Sequence, residues 1–451
     1  MLFLALAGYA TLGKGFATLG LPPLYVGEIM LALGLVTIYL SRTGLAPLAT
    51  LPTFILAIAI ALIAARAAIS FRTYGIEAIR DSVIIIYGLF AFIVIALCLQ
   101  KPERFSMTLK AYGGFVWFYG IVGGLVFVIS STFPDAIPNW PVFGGPMLHT
   151  RAGEAAVHLA GASVFAILCL RKYSKLWAFV LALSVIMVTP SRGAMLSCFV
   201  PVALALTLSG QIKRLAPAFL AGAFVMSCSY VADIKVPLPG DRSLGAEQLV
   251  NNFTSILSKS DASNLDGTKE WRLRWWSAIE DYTFRGPYFW TGKGFGMGLA
   301  EADGFVVGEE LGGPIVRSPH NAHYTMLARA GVPGLVMWGV VNLSWGFMIF
   351  ASWMLARKNG DTQWANVFLW IGCYWLAALI NATFDVALEG PMLGIWFWSI
   401  FGFGAAGAMI YRYQLLAART RAVATRSPLL PVPDPFSLGN TGPHRGSIAS
   451  P

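Results

Sequence analysis

Residues 317–334 read Arg317-Ser-Pro-His320-Asn-Ala-His323-Tyr-Thr-Met-Leu-Ala-Arg329-Ala-Gly331-Val-Pro-Gly334. At this junction the one long polar stretch of the chain, from about Asp233 to Pro319, gives way to a hydrophobic run. That run, 323–353, exceeds the ~20 residues a helix needs to cross a bilayer, so it is expected to open with a short interfacial turn before Gly331. A polar island between apolar helices poses two questions: what the island does, and which charges elsewhere face it.

Of 451 residues, 57% are hydrophobic and 12% charged, with a mean hydropathy of +0.66. Soluble domains carry about a quarter charged residues, so the composition implies an all-α polytopic membrane protein. The period-2 pattern of an outer-membrane barrel is absent. The first residues lack a basic n-region and a small-residue cleavage site, and read as a span. Cys98, Cys169, Cys198, Cys228 and Cys373 sit in apolar runs without metal spacing and read as small hydrophobes. The net charge of +10 fits cytoplasmic loops and anionic membrane lipids rather than nucleic acid.

Apolar runs at 3–19, 24–41, 50–68, 82–99, 112–130, 153–170, 175–190, 193–210, 214–232, 323–353, 364–384 and 391–411 predict about twelve transmembrane helices. The first is interrupted by Gly13-Lys-Gly15. This divides the chain into helices one to nine (1–232), a large loop containing short helices (233–322), helices ten to twelve (323–411) and a tail (412–451). The tail's Pro-, Gly- and Ser-rich end, from 427, reads as disordered. With the N-terminus inside, the inner connections collect Arg42, Lys101, Arg104, Lys110, Arg171, Lys172, Lys175, Lys213, Arg214, Arg357 and Lys358. The outer ones are poorer: 131–152 holds Arg151 alone, and 385–390 holds only Asp385 and Glu389. Just 69–81, with Arg72 and Arg80, departs. The positive-inside rule therefore places both termini in the cytoplasm and 233–319 outside.

Arg192 sits in the tight outer turn Thr189-Pro-Ser-Arg-Gly193, the lone cation of an apolar stretch. It is either a snorkelling arginine or a functional charge. In Glu270-Trp-Arg-Leu-Arg-Trp-Trp-Ser-Ala-Ile-Glu280, helical spacing puts Arg272 and Trp276 on one face near Ile279, with Arg274 pointing elsewhere. The segment could be an aromatic interfacial anchor, or could bring Arg272 to a phosphate, which a guanidinium fork suits. Gly292-Lys-Gly-Phe-Gly-Met-Gly298 lacks the features of a nucleotide loop and reads as a compact turn allowing close backbone approach. His320 precedes a helix start, whose positive end disfavours the protonated ring, as a proton acceptor requires; a structural histidine is the alternative. His323, one turn on, could complete an HxxH metal pair, but nearby carboxylates or cysteines to fill the site are missing from the sequence. Glu28 could pair with an arginine or orient a sugar.

Taken together, these residues resemble the O-antigen ligase and bacterial polysaccharide polymerase superfamily of integral membrane glycosyltransferases. The resemblance rests on Ser191-Arg-Gly-Ala194, Arg272-Leu-Arg-Trp-Trp276, Gly292-Lys-Gly-Phe-Gly296 and His320-Asn through Gly331-Val-Pro-Gly334, and on the similar opening Gly20-Leu-Pro-Pro-Leu-Tyr-Val-Gly-Glu28. It implies a GT-C-like helical fold in the bacterial inner membrane, with a periplasmic active site. It also implies a glycan donor linked to undecaprenyl diphosphate, inversion at the anomeric carbon, no cofactor and no required metal. By resemblance, Arg192 and Arg272 hold the diphosphate and His320 deprotonates or orients the acceptor hydroxyl. Arg274, His323, Asn321 and Glu28 are accessory candidates, and His323 departs from the apolar or small residue usual there. The acceptor is lipid A-core for a ligase or a second lipid-linked glycan for a polymerase, where Arg285 or Arg317 could serve a second diphosphate. A multi-span transporter of an anionic or lipid-linked solute, or a non-enzymatic scaffold, are the readings from other classes.

Overall fold

The computed structural model describes residues 1–22, 24–41, 43–214, 227, 236–238, 242–244, 263–306 and 317–426. The protein is an all-α, multi-pass membrane protein, and strand among the described residues is confined to two two-stranded ribbons. Residues 1–408 form one compact unit, and 409–451 a second that carries the end of the last helix.

In chain order the main helices are α1 (Leu2–Leu12), α2 (Lys14–Ala17), α3 (Val26–Leu40), α4 (Leu51–Tyr74), α5 (Ile76–Ile86), α6 (Leu89–Gln100), α7 (Glu103–Thr132), α8 (Ala152–Ile167), α9 (Lys175–Met187), α10 (Arg192–Ser209), α11 (Ser263–Phe284), α12 (Leu299–Asp303), α13 (Ala322–Lys358), α14 (Thr362–Ala382) and α15 (Pro391–Arg426). Six of them, α4, α7, α10, α13, α14 and α15, are long and apolar enough to cross a membrane. The bent pair α5–α6, turning by 45° at Tyr87-Gly88, makes a seventh if it is counted as one span.

The described residues thus support six or seven spans, not the expected twelve. The difference has identifiable causes. Gly13, at φ 58°, ends the first helix after Leu12. Helix α3 has 15 residues, about 22 Å of helix against a ~30 Å hydrocarbon core. Helices α8 and α9 are likewise short, and the run 214–232 lies almost entirely outside the described residues. The expected tail begins as helix to Arg426, and 427–451 lie outside the described residues.

In the bundle α10 packs on α8 and α14, and α13 packs on α14 and α4. Indole N–H groups stitch helices together. Trp396 donates to Leu6 O at 2.7 Å, Trp345 to Phe401 O at 2.8 Å and Trp370 to Gly161 O at 3.1 Å. A buried indole needs such an acceptor, and between membrane helices a carbonyl supplies one.

Helix α13 is kinked where the sequence places Gly331-Val-Pro-Gly334. Gly331 adopts φ 69° and ψ −170°, a region almost closed to side-chain-bearing residues. A Cβ there would lie 2.5 Å from the Phe289 carbonyl oxygen. The kink admits the glycine-rich turn, so that Lys293 N donates to Ala328 O at 2.7 Å, Gly294 N to Arg329 O at 3.0 Å and Val332 N to Phe289 O at 2.8 Å. The turn is therefore a structural docking piece for the first half of α13.

Candidate active site

The first half of α13 begins with a buried Asn321, whose side-chain oxygen accepts the N–H groups of His323 at 2.9 Å and Tyr324 at 3.3 Å. This is an N-cap satisfying two otherwise orphaned donors. One residue earlier, half-buried His320 has φ 53°, a left-handed conformation that costs a non-glycine residue about 1–3 kcal/mol. The surroundings hold it there. Trp276 on α11 donates its indole N–H to Pro319 O at 2.9 Å and stacks on Tyr324 at 4.9 Å and 10°. The Tyr324 hydroxyl donates to Glu280. Beneath these contacts Trp275 and Ile279 of α11 are buried with Leu327 and Ala328 of α13. Thus α11 is clamped to the turn that carries His320, rather than lying apart as an interfacial anchor.

The same clamp presents Arg272. As its helical spacing requires, Arg272 shares the inward side with Trp276, and its Nη1 donates to the Phe384 carbonyl at 3.1 Å. Arg274 points away and pairs with Glu270 at 3.3 Å, both well exposed. Phe384, in the connection between α14 and α15, also receives α10: a Cβ on Gly193 would lie 2.8 Å from Phe384 Cβ. Ser191 caps α10, accepting Ala194 N–H at 3.2 Å, and Arg192 is its first helical residue. Arg272 and the N-terminal turn of α10, which begins at Arg192, therefore meet at one phenylalanine, and that turn is the positive end of a helix.

Another cation stands near His320. Arg151, the residue before α8, pairs with Asp385 at 2.9 Å, and Val386 N–H also donates to that carboxylate at 2.7 Å. Burial lowers the proton affinity of His320, followed by the Arg272 cation; Arg151 adds to this and Asp385 opposes it. The ring is neutral at neutral pH, the state in which an imidazole can accept a proton. A region holding the Arg272 and Arg151 guanidinium groups and one carboxylate beside a neutral imidazole, next to the helix start that carries Arg192, can bind a dianionic group and take up a hydroxyl proton.

His323 is differently employed. The Trp338 indole N–H donates to its Nδ1 at 2.9 Å, and its Nε2 lies 3.3 Å from Thr383 Oγ1. Glu28 accepts Tyr25 N–H at 3.2 Å and the Tyr87 hydroxyl at 3.1 Å; among the described residues it pairs with no arginine. No group of three or more His, Cys, Asp or Glu side chains among the described residues could hold a metal ion.

Sequence reasoning left Asp385, Glu389, Arg151 and Arg329 without roles. Arg329, 1% exposed, pairs with Asp81 of α5 at 2.8 Å and donates to Met297 O at 3.1 Å. Arg317 lies 2.9 Å from Glu77 and 3.6 Å from Asp81. Asp385 and Glu389 did carry a signal: two carboxylates in a short connection between apolar helices that is free of lysine and arginine.

Residues 177–339, from α9 to the kinked part of α13, match the family model described as O-Antigen ligase. Three of the elements above, Arg192, Arg272 and His320, fall inside this segment, whereas Arg151, Phe384 and Asp385 lie outside it. No curated protein matches the chain.

Proposed function

We propose, with the match of residues 177–339 to the O-antigen ligase family as premise, that the protein is an inverting glycosyltransferase using a glycan linked to undecaprenyl diphosphate. The acceptor we assign is the hydroxyl of lipid A-core, which makes the reaction O-antigen ligation. The observation that carries the reading is the meeting at Phe384: Arg272 bonds its carbonyl and the residue after Arg192 packs on its side chain, with His320 close enough for Arg272 to act on its charge.

In this reading Arg192 and Arg272 bind the donor's diphosphate through charge-assisted hydrogen bonds. The acceptor oxygen attacks the anomeric carbon from the opposite face. The carbon–oxygen bond to diphosphate breaks, the leaving group keeps the electron pair, and the hydroxyl proton passes to His320. Diphosphate is already a good leaving group, so the protein's task is to stabilise the departing charge and align the acceptor. Asp385, tied to Arg151, raises the proton affinity of the imidazole and stabilises the imidazolium as it forms.

We place this chemistry on the periplasmic side of the bacterial inner membrane, with both termini cytoplasmic, in a GT-C-like arrangement of helices. A polymerase would need a second diphosphate site. Arg285 pairs with Asp281 and Arg317 with Glu77 and Asp81, which favours the ligase. A transporter would place ionisable groups at the midplane of broken helices, whereas Arg192, Arg272 and His320 all stand at helix starts or in the α11 segment.

Reconstitution with purified undecaprenyl-diphosphate-linked glycan and either lipid A-core or a second lipid-linked glycan tests the assignment. Product with lipid A-core alone is expected. Product with the second lipid-linked glycan alone makes it a polymerase, and product with neither removes the glycosyltransferase reading.

A further inference from the structure

The turn carrying His320 is fastened from both sides to one carboxyl oxygen. Ser318 Oγ lies 3.1 Å and Thr325 Oγ1 2.8 Å from Glu389 Oε1. Thr325 Oγ1 also lies 3.0 Å from the Asn321 carbonyl oxygen, one turn back. A threonine hydroxyl has a single hydrogen, so it cannot fully serve both the Asn321 carbonyl and an ionised Glu389. The count closes if Oε1 carries a proton. Then Glu389 donates to Thr325 Oγ1, Thr325 donates to Asn321 O, and Ser318 donates to the remaining lone pair of Oε1.

The charged groups around Glu389 come from several elements. Arg329 of α13 and Asp81 of α5 act on it with opposite sign, and Arg151 beside α8 is near enough to feel it. Burial dominates and pushes the carboxyl up to about 7, against the Thr325 and Ser318 hydrogen bonds and the Arg329 cation, which favour its charged form.

We infer that Glu389 is a positioning residue for the transfer reaction, acting as a neutral carboxylic acid that holds Ser318 and Thr325 and so fixes His320 between them. Its ionisation draws the Thr325 hydrogen to the carboxylate and away from the Asn321 carbonyl, which keeps only the Thr325 N–H at 2.8 Å, and so shifts the turn. The inference rests on the glycan-transfer reading, and it gives the enzyme an alkaline loss of activity that does not originate in His320.

The test uses the full chain in proteoliposomes, with Glu389→Gln and Glu389→Leu compared over the pH range. A glutamine whose Nε2 takes the place of Oε1 can donate one N–H to Thr325 and one to Ser318 but cannot ionise. Glu389→Gln should keep at least about a third of kcat at acidic pH and lose the alkaline limb near neutrality. Glu389→Leu should lose about tenfold or more in kcat while the donor KM stays within about twofold. Thr325→Val, which removes the hydroxyl and leaves Glu389 in place, should reproduce the kcat loss if Glu389→Leu fails to fold. A Glu389→Gln protein as inactive as Glu389→Leu, or one that retains the alkaline limb, overturns the inference and leaves glycan transfer standing. A wild type that makes no product with either acceptor overturns the transfer reading and this inference with it.

Discussion

Trp338 donates its indole N–H to His323 Nδ1 at 2.9 Å, and this bond separates the two histidines at the start of α13. A neutral ring that accepts at Nδ1 carries its hydrogen on Nε2, which faces Thr383 Oγ1 at 3.3 Å. Both nitrogens are thus committed to tying α13 to itself and to α14. His320, by contrast, sits in a strained turn in the field of Arg272, Arg151 and Asp385.

The two histidines should therefore respond differently to substitution. His320→Ala should lower transfer by about 10²–10⁴-fold at unchanged protein level, the usual worth of a positioned general base. His323→Phe strands the Trp338 N–H and should cost about 1–3 kcal/mol of stability while transfer stays within about tenfold. Rates in proteoliposomes and thermal unfolding of the purified protein measure the two effects. Equal losses of kcat at both positions would refute the distinction.

The electrostatics of His320 set a pH dependence with a definite sign. Burial and the two arginines depress its proton affinity while Asp385 raises it. Neutral imidazole is the active form, so activity falls on acidification only as pH drops through a value below the ordinary ~6.5. Arg151→Gln removes one cation and frees Asp385 from its partner, and both changes favour the imidazolium. The acid limb of kcat/KM should move to higher pH in this variant. A limb that stays in place or moves down would show that Arg151 and Asp385 do not act on the catalytic histidine.

Local periodicity was enough to read one face of α11. Arg272 and Trp276, four residues apart, had to share a face and Arg274 had to leave it, and the helix is placed that way. The Gly331 kink was legible because Gly and Pro restrict backbone geometry wherever they occur. Hydropathy alone could not tell a full span from a broken one, so the Tyr87-Gly88 bend was absorbed into an apparent span, and the first run counted as a span despite its Gly13-Lys-Gly15 interruption. The partners of His320 were hidden for a different reason. Arg151 and Asp385 are 234 residues apart, and their pairing follows from the packing of α8 and α14, which no short window contains. The same applies to Arg329, read within a family-like motif but paired with Asp81 from another helix.

That buried pair makes a prediction about stability. Arg329 Nη1 and Asp81 Oδ2 are 2.8 Å apart, and Gly296 N–H also donates to Asp81 Oδ2 at 2.8 Å. Removing one partner leaves a desolvated charge, which typically costs about 3–5 kcal/mol. Asp81→Leu should therefore lower the unfolding temperature sharply, and adding Arg329→Met should recover part of the loss. If the double variant is as unstable as the sum of the singles, the two residues are not energetically coupled.

Sidedness gives the last test, because the chemistry proposed requires α11 to face the periplasm. The loop after α8 holds the exposed Cys169 beside Arg171, Lys172 and Lys175, and the positive-inside rule puts it in the cytoplasm. Arg274 is exposed on the outward side of α11. A membrane-impermeant maleimide applied to intact spheroplasts should leave Cys169 unlabelled until the membrane is lysed. With Cys169 and Cys228 replaced by serine, Arg274→Cys should label before lysis. The reverse pattern would place Arg272 and His320 on the cytoplasmic side. A donor glycan displayed in the periplasm could not reach them there, so reversed labelling would rule out the proposed transfer whatever the geometry of the site.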